Sequence, residues 1–207
     1  MTRILLVRHG HVEGISPERF RGRADMPLSP LGERQALATA ARIAAAWRPD
    51  RILTSPMSRA VATGAAIAAA TGAPAETTPA LHDIDYGQWQ WKTHEEVREA
   101  WPAMFRLWFD EPQLVRFPGG EALQDLVART GDALRLVVEA GPEETVVLVG
   151  HDSVNRALLM QLIDQPLSAY WKLALSPCGI TEIDVADGRV RVLRVNETAH
   201  LEGLGEG

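Results

Sequence analysis

The apolar positions of this chain fall into two kinds of run. Ile4-Leu5-Leu6-Val7 and Val146-Val147-Leu148-Val149 are short and unbroken by any polar residue. A run of that length without alternation fits a strand buried on both faces of a parallel sheet. Most other apolar positions recur at helical spacing. Leu37, Ala40, Ala41, Ile43, Ala44 and Trp47 give one face to a helix that Ser29 caps and Pro30 opens. Arg51 to Thr54 reads as a second short strand. Ser55-Pro56 repeats the cap-and-proline start, and Gly72 closes that helix as a left-handed cap. Leu123, Leu126, Val127, Thr130, Leu134, Val137 and Val138 line a longer amphipathic helix that stops at Gly141-Pro142. After the second apolar run a helix continues through Ile163. Gly179 to Val195 reads as a two-strand hairpin turning at Asp187-Gly188.

The order strand, helix, strand, helix predicts an α/β fold: a three-layer sandwich with a mostly parallel central sheet and helices on both faces. The length suits a single domain over residues 1–207. Residues 81–119 depart from this pattern. They hold Trp89, Trp91, Trp101 and Trp108, and a helix begun by a Thr93/Glu96 capping box that Pro102 breaks or bends. This segment is expected as a helical insertion over the sheet edge near the active site, as a lid or pocket wall.

Composition narrows the function classes. No apolar stretch approaches the ~20 residues needed to cross a bilayer. A net charge of −6 argues against nucleic-acid partners. Cys178 stands alone, so no internal disulfide is expected, and Met1-Thr2-Arg3 runs into the first strand with no cleavage pattern. A cytoplasmic protein is the expectation, with a homodimer as one expected assembly. The cations are nearly all arginine; the lysines are Lys92 and Lys172.

The placement of certain arginines carries chemistry. Both unbroken apolar runs end at a histidine, in Arg8-His9-Gly10 and Gly150-His151-Asp152. Ligands of parallel sheets bind outside the carboxyl ends of the strands, where both imidazoles would sit. Arg59, in the first turn of the helix after the second strand, opposes the helix macrodipole unless an anion is held there. Arg8, His9, Arg59 and His151 together suit a phosphoryl group: arginine forks match its oxygens, and a neutral imidazole attacks phosphorus. A general acid is also required, and Asp83, Asp152 and Asp85 are candidates. His9-Gly10-His11 with Asp83 or Asp152 could instead begin a metal site. Arg8 would repel the ion and no further histidine or cysteine completes the set, so neither metal nor cofactor is expected.

In this order the motifs resemble the histidine phosphatase superfamily, in its phosphoglycerate-mutase-like branch. The resemblance runs from Leu5 to about Leu201. Leu6-Val7-Arg8-His9-Gly10 is similar to the family's Arg-His-Gly signature. Arg21-Gly22 with Asp25-Met26-Pro27-Leu28-Ser29, Gly32 and Gln35-Ala36 follow. Ser55-Pro56-Met57-Ser58-Arg59-Ala60, Tyr86-Gly87-Gln88-Trp89, Pro118-Gly119-Gly120-Glu121 and Gly150-His151 complete the series. The resemblance implies a metal-independent phosphatase of a small phosphorylated metabolite. His9 would become phosphorylated. Arg8, Arg59, His151 and Arg21 would bind substrate. Asp83 would protonate the leaving oxygen and then activate water.

The departures from the family pattern matter. The family's usual acid at the Asp83 position is a glutamate, so a shorter side chain must reach the site. The more distant acid-phosphatase branch uses a His-Asp motif that His151-Asp152 resembles, which keeps Asp152 open as the acid. Mutases usually carry an asparagine a few residues after Arg-His-Gly, where this chain reads His11-Val12-Glu13-Gly14-Ile15. The chain is also shorter than typical cofactor-dependent mutases. Both points favour a phosphatase, with a phosphomutase second and a non-catalytic phospho-ligand-binding module third.

Overall fold

The computed structural model describes residues 1–14, 18–139 and 143–205. The Gly141-Pro142 stop and Ile15 lie outside the described residues. Six strands form one sheet in the order β3-β2-β4-β1-β5-β6. They are β1 (Thr2–Arg8), β2 (Arg51–Thr54), β3 (Ala75–Thr77), β4 (Thr145–Gly150), β5 (Ile180–Ala186) and β6 (Arg189–Glu197). Strands β1 to β4 pair in parallel, while β5 and β6 add antiparallel to one side. The sheet is therefore mostly parallel, flanked by α1 (Pro30–Ala46), α2 (Ser58–Thr71), α3 (His94–Ala100), α4 (Pro102–Asp110), α5 (Leu123–Glu139) and α6 (Asp152–Leu162).

The unbroken apolar runs are what make three layers. Leu5, Val7, Val147 and Val149 point to one face and pack on Ala40 and Ile43 of α1 and Ala60 and Ile67 of α2. Ile4, Leu6, Val146 and Leu148 point to the other face. There they meet Leu126 and Val137 of α5, Leu158 of α6, and Trp89, Trp108 and Phe117 from the 81–119 segment. All eight strand residues are buried, each contributing roughly 1.5–3 kcal/mol relative to exposure. Arg8 pairs with Gly150 and Thr54 with Val149, so the carboxyl ends of β1, β2 and β4 finish level.

Several local signals act as the sequence indicates. Ser29 accepts from the Gly32 amide as N-cap, Gly72 ends α2 at φ 76°, and Thr93 and Glu96 form the capping box. Pro102 separates α3 from α4 as the first residue of α4. Asp187 and Gly188 turn the hairpin at φ 51° and 71°.

Two expectations need correction. Leu37 is 65% exposed, and Ala41 and Ala44 are exposed too, because α1 buries Gly32, Ala36 and Thr39 beside the expected Ala40 and Ile43. A Cβ on Gly32 would come 2.1 Å from the His11 carbonyl oxygen, so this close backbone approach sets the rotation of the helix. Secondly, α2 starts at Ser58, three residues after Ser55, with no side-chain cap from Met57. Ser55 is drawn away by a tertiary contact, and Asp25 accepts from the Ser58 amide (2.9 Å) and hydroxyl (2.5 Å) in its place. Strand β3 drew no expectation, because it carries no apolar run, only exposed Ala75, Glu76 and Thr77 at the sheet edge.

Candidate active site

Hydrogen bonding continues past the strand ends and positions the residues that follow. The His9 amide donates to Gly150 O (3.0 Å) and the Ser55 amide to Val149 O (2.9 Å). His9 is buried, and its Nδ1 lies 2.7 Å from the Gly10 carbonyl oxygen. A carbonyl can only accept, so Nδ1 carries the proton and the lone pair is on Nε2. The Arg59 Nε–H points at that Nε2 from 3.2 Å, which requires the same tautomer. Burial holds the His9 pKa well below the usual histidine value, and His151, Arg59 and Arg8 push it further down. The result is a neutral imidazole with a directed lone pair, the form that attacks phosphorus.

Arg59 has no exposed surface. Besides His9 it donates to Gly22 O (2.7 Å), Ala24 O (2.9 Å) and Asp83 Oδ2 (3.0 Å). Asp25, at the α2 N-terminus, offsets the unfavourable place of this cation in the first turn. That N-terminus is thus occupied by a carboxylate of the chain itself rather than left open for a ligand. The His151 ring centroid is 5.1 Å from that of His9. Its Nε2 is 2.8 Å from Ser55 Oγ, which also accepts from the Met57 amide. A Ser55 proton given to Nε2 leaves the His151 proton on Nδ1, which lies 3.4 Å from Asp83 Oδ2 without an aligned hydrogen bond. Burial, then Arg59, His82 and Arg8, hold the His151 pKa well below the ordinary value too.

The three carboxylate candidates separate cleanly. Asp83 lies within the cluster, its Oδ2 on Arg59 and its Oδ1 accepting from Ser153 Oγ (2.5 Å) and the Ile84 amide (2.8 Å). Asp152 is clasped by Arg156 Nε (2.8 Å) and lies 3.5 Å from Arg8 Nη1. It orients Arg8, whose Nη1 also donates to Leu175 O (2.6 Å). Asp85 caps the Gly87 amide and pairs with Arg23. The Pro118-Gly119-Gly120-Glu121 motif supports this arrangement from behind. Glu121 binds Arg129 through Oε1 (2.9 Å) and Oε2 (3.1 Å), and Arg129 in turn donates to the carbonyls of Ala80, His82 and Asp83. Burial alone would raise the Glu121 pKa, but Arg129 and the Asp85 amide bring it below the usual value. A charged, fixed Glu121 thereby holds the loop that carries Asp83.

A cavity of about 380 Å³ opens over these residues, lined by Arg8, His9, Arg21, Asp83, Asp152 and Ser153 at its polar end. Arg21 also donates to Gly14 O (2.6 Å). Arg59 and His151 lie behind this lining, in contact with His9 and Asp83. Phe20, Tyr86, Trp108, Phe109 and Trp171 form the apolar wall. Of the four tryptophans in residues 81–119, only Trp108 reaches the cavity; Trp89 is wholly buried as packing. The sequence does not single out Ser153 or Arg156: Ser153 acts on Asp83 across 70 positions, and Arg156 is an ordinary i,i+4 partner of Asp152; it marks Ser55 only as a helix start and part of a motif. Among the described residues no group of three or more histidine, cysteine, aspartate or glutamate side chains could hold a metal ion, and no helix is long and apolar enough to cross a membrane.

The buried imidazoles make stability depend on pH. Both have depressed pKa values when folded, so the unfolded chain binds more protons below about pH 6.5. Their contribution is complete above that pH and is lost as pH falls through it toward the folded values. Denaturant unfolding should show stability dropping between pH 7 and pH 5, by up to about 1.4 kcal/mol per pH unit for each histidine. His9→Ala should flatten that slope; an unchanged slope would mean that His9 is charged in the folded protein.

Known proteins resemble this chain over nearly its whole length. The chain is 32% identical over 201 residues to Phosphoserine phosphatase 1 of Hydrogenobacter thermophilus, covering 97% of this chain and 95% of that one. It is 30% identical over 217 residues to a probable phosphoglycerate mutase GpmB of Cronobacter sakazakii, covering 98% and 96%. The solved structure of Bacillus stearothermophilus YhfR superposes with a TM-score of 0.92 at 28% identity, covering 98% of this chain and all of that one. The model of the histidine phosphatase superfamily (branch 1) matches residues 4–198, and the chain belongs to that superfamily.

Proposed function

We propose that this phosphatase hydrolyses a small phosphorylated metabolite through a phosphohistidine on His9, without a metal ion. The observation that carries the reading is the neutral His9, its Nδ1 proton on Gly10 O and its Nε2 lone pair facing Arg59. His9 Nε2 attacks phosphorus as the bond to the leaving oxygen breaks. Arg8 and Arg21 stabilise charge on the phosphoryl oxygens from the cavity lining, and the Arg59 charge and the His151 Nδ1–H add to this from directly behind His9 and Asp83, worth most in a buried, preorganised site. Asp83 protonates the leaving oxygen and then takes a proton from the water that releases phosphate. The cavity volume supports a small substrate, and the 81–119 segment serves as a pocket wall through Asp83, Tyr86, Trp108 and Phe109.

Purified protein in EDTA should release phosphate from p-nitrophenyl phosphate, and a rapid quench into alkali should find phosphate in an alkali-stable, acid-labile linkage on histidine. Activity abolished by EDTA and restored by a divalent ion would overturn the metal-free reading. The relative named as a probable mutase supports a second reading, in which the same phosphoenzyme returns phosphate to a second hydroxyl. That reading requires transfer to 2- or 3-phosphoglycerate to outpace transfer to water.

A further inference from the structure

We propose that Ser153 is a catalytic residue that carries the proton between Asp83 and the leaving-group oxygen. This rests on the phosphohistidine reading above. Both oxygens of Asp83 are engaged within the chain. Its Oδ2 faces Arg59 Nη2 at 3.0 Å and His151 Nδ1 at 3.4 Å. Its Oδ1 accepts from the adjacent Ile84 amide at 2.8 Å and from Ser153 Oγ at 2.5 Å. The Ser153 hydroxyl extends the reach of Asp83 into the cavity. Ser153 lines the same cavity as His9, Arg8 and Asp83. It is the second residue of α6, and at 3% exposure it is fixed by helix and packing.

A hydroxyl has one proton to give and lone pairs to receive another, which suits it to relay. In the first half-reaction the His9 Nε2–P bond forms and the bond from phosphorus to the leaving oxygen breaks. The leaving oxygen takes the Ser153 Oγ proton, and Ser153 takes the proton from Asp83 Oδ1. In the second half-reaction the water oxygen bonds to phosphorus and the Nε2–P bond breaks. The water proton passes to Ser153 Oγ and the Ser153 proton to Asp83. Ser153 ends each half with one proton, as it began.

The test uses leaving groups that differ in their need for a proton. p-Nitrophenolate departs unaided, whereas an alkoxide such as that from ethyl phosphate does not. Ser153→Ala should slow phosphohistidine formation, followed by rapid quench, by about 100-fold with ethyl phosphate, a usual loss for general acid catalysis, and by less than about fivefold with p-nitrophenyl phosphate, whose steady-state turnover then slows at the water step. Ser153→Thr, which keeps a hydroxyl, should retain most of the ethyl phosphate activity. Adding Asp83→Glu to Ser153→Ala should recover at least about tenfold on ethyl phosphate, because the longer acid reaches the oxygen itself. Equal losses of phosphohistidine formation from the two esters, or no recovery in the double variant, would overturn the relay. Phosphohistidine trapped from the wild-type protein tests the underlying reading separately, so a flat leaving-group pattern with phosphohistidine present removes only Ser153 from the mechanism.

Discussion

A His9→Ala protein should fold and yet lose about four or more orders of magnitude in phosphate release, with no phosphohistidine after a rapid quench. The size follows from what the side chain does. Every bond change in the proposed reaction is made to or from its Nε2, and no other group in the cavity can replace it. The Arg59 Nε–H that faces Nε2 would lose its partner, and His151 cannot substitute because its Nε2 is held by Ser55. Folding is not expected to account for the loss. The variant removes an imidazole whose burial already disfavours its charged form, and Arg59 keeps its three other partners, Gly22, Ala24 and Asp83. Circular dichroism and the unfolding midpoint at pH 7 check that point. Exogenous imidazole should restore part of the activity by occupying the vacated space. Turnover of the variant within about tenfold of wild type would remove His9 as nucleophile.

The architecture was legible because strong, redundant signals specify it. An unbroken apolar strand cannot sit at a surface, and two such runs ending in histidine locate the sheet and the rim of the site together. Gly72 and Asp187-Gly188 work through backbone conformation, which depends on few neighbours. The failures lie where a tertiary partner outcompetes a local one. Ser55-Pro56 has the chemistry of a helix cap, but the Ser55 hydroxyl lies on His151, 96 positions away, and Asp25 reaches across to the Ser58 amide from 33 positions away. No periodicity reports such contacts. Ser153 is similar: its neighbour Asp152 stands out beside a histidine, while the residue that touches Asp83 across 70 positions looks like an ordinary helix position. Strand β3 is short and exposed, held by backbone pairing to β2, so it leaves no apolar trace.

The geometry also turns an open alternative between two aspartates into a measurable difference. Asp83→Asn should lower kcat on ethyl phosphate by about 1,000-fold, within the range for loss of a general acid, and on p-nitrophenyl phosphate far less in the first half-reaction. Water activation in the second half-reaction also uses Asp83. Hydrolysis of p-nitrophenyl phosphate should therefore show a burst of nitrophenolate followed by slow turnover, with phosphohistidine accumulating. Asp152→Asn should behave otherwise. Its carboxylate is taken up by Arg156 and orients Arg8, so its loss loosens a phosphate-binding cation without removing a proton carrier. That predicts a KM raised by about tenfold on both esters with a smaller change in kcat, and no burst. The two profiles differ in kind as well as size. A leaving-group-dependent kcat defect with a burst in Asp152→Asn, and a plain KM defect in Asp83→Asn, would exchange the two roles and make the His-Asp pair at the start of α6 the acid of this enzyme.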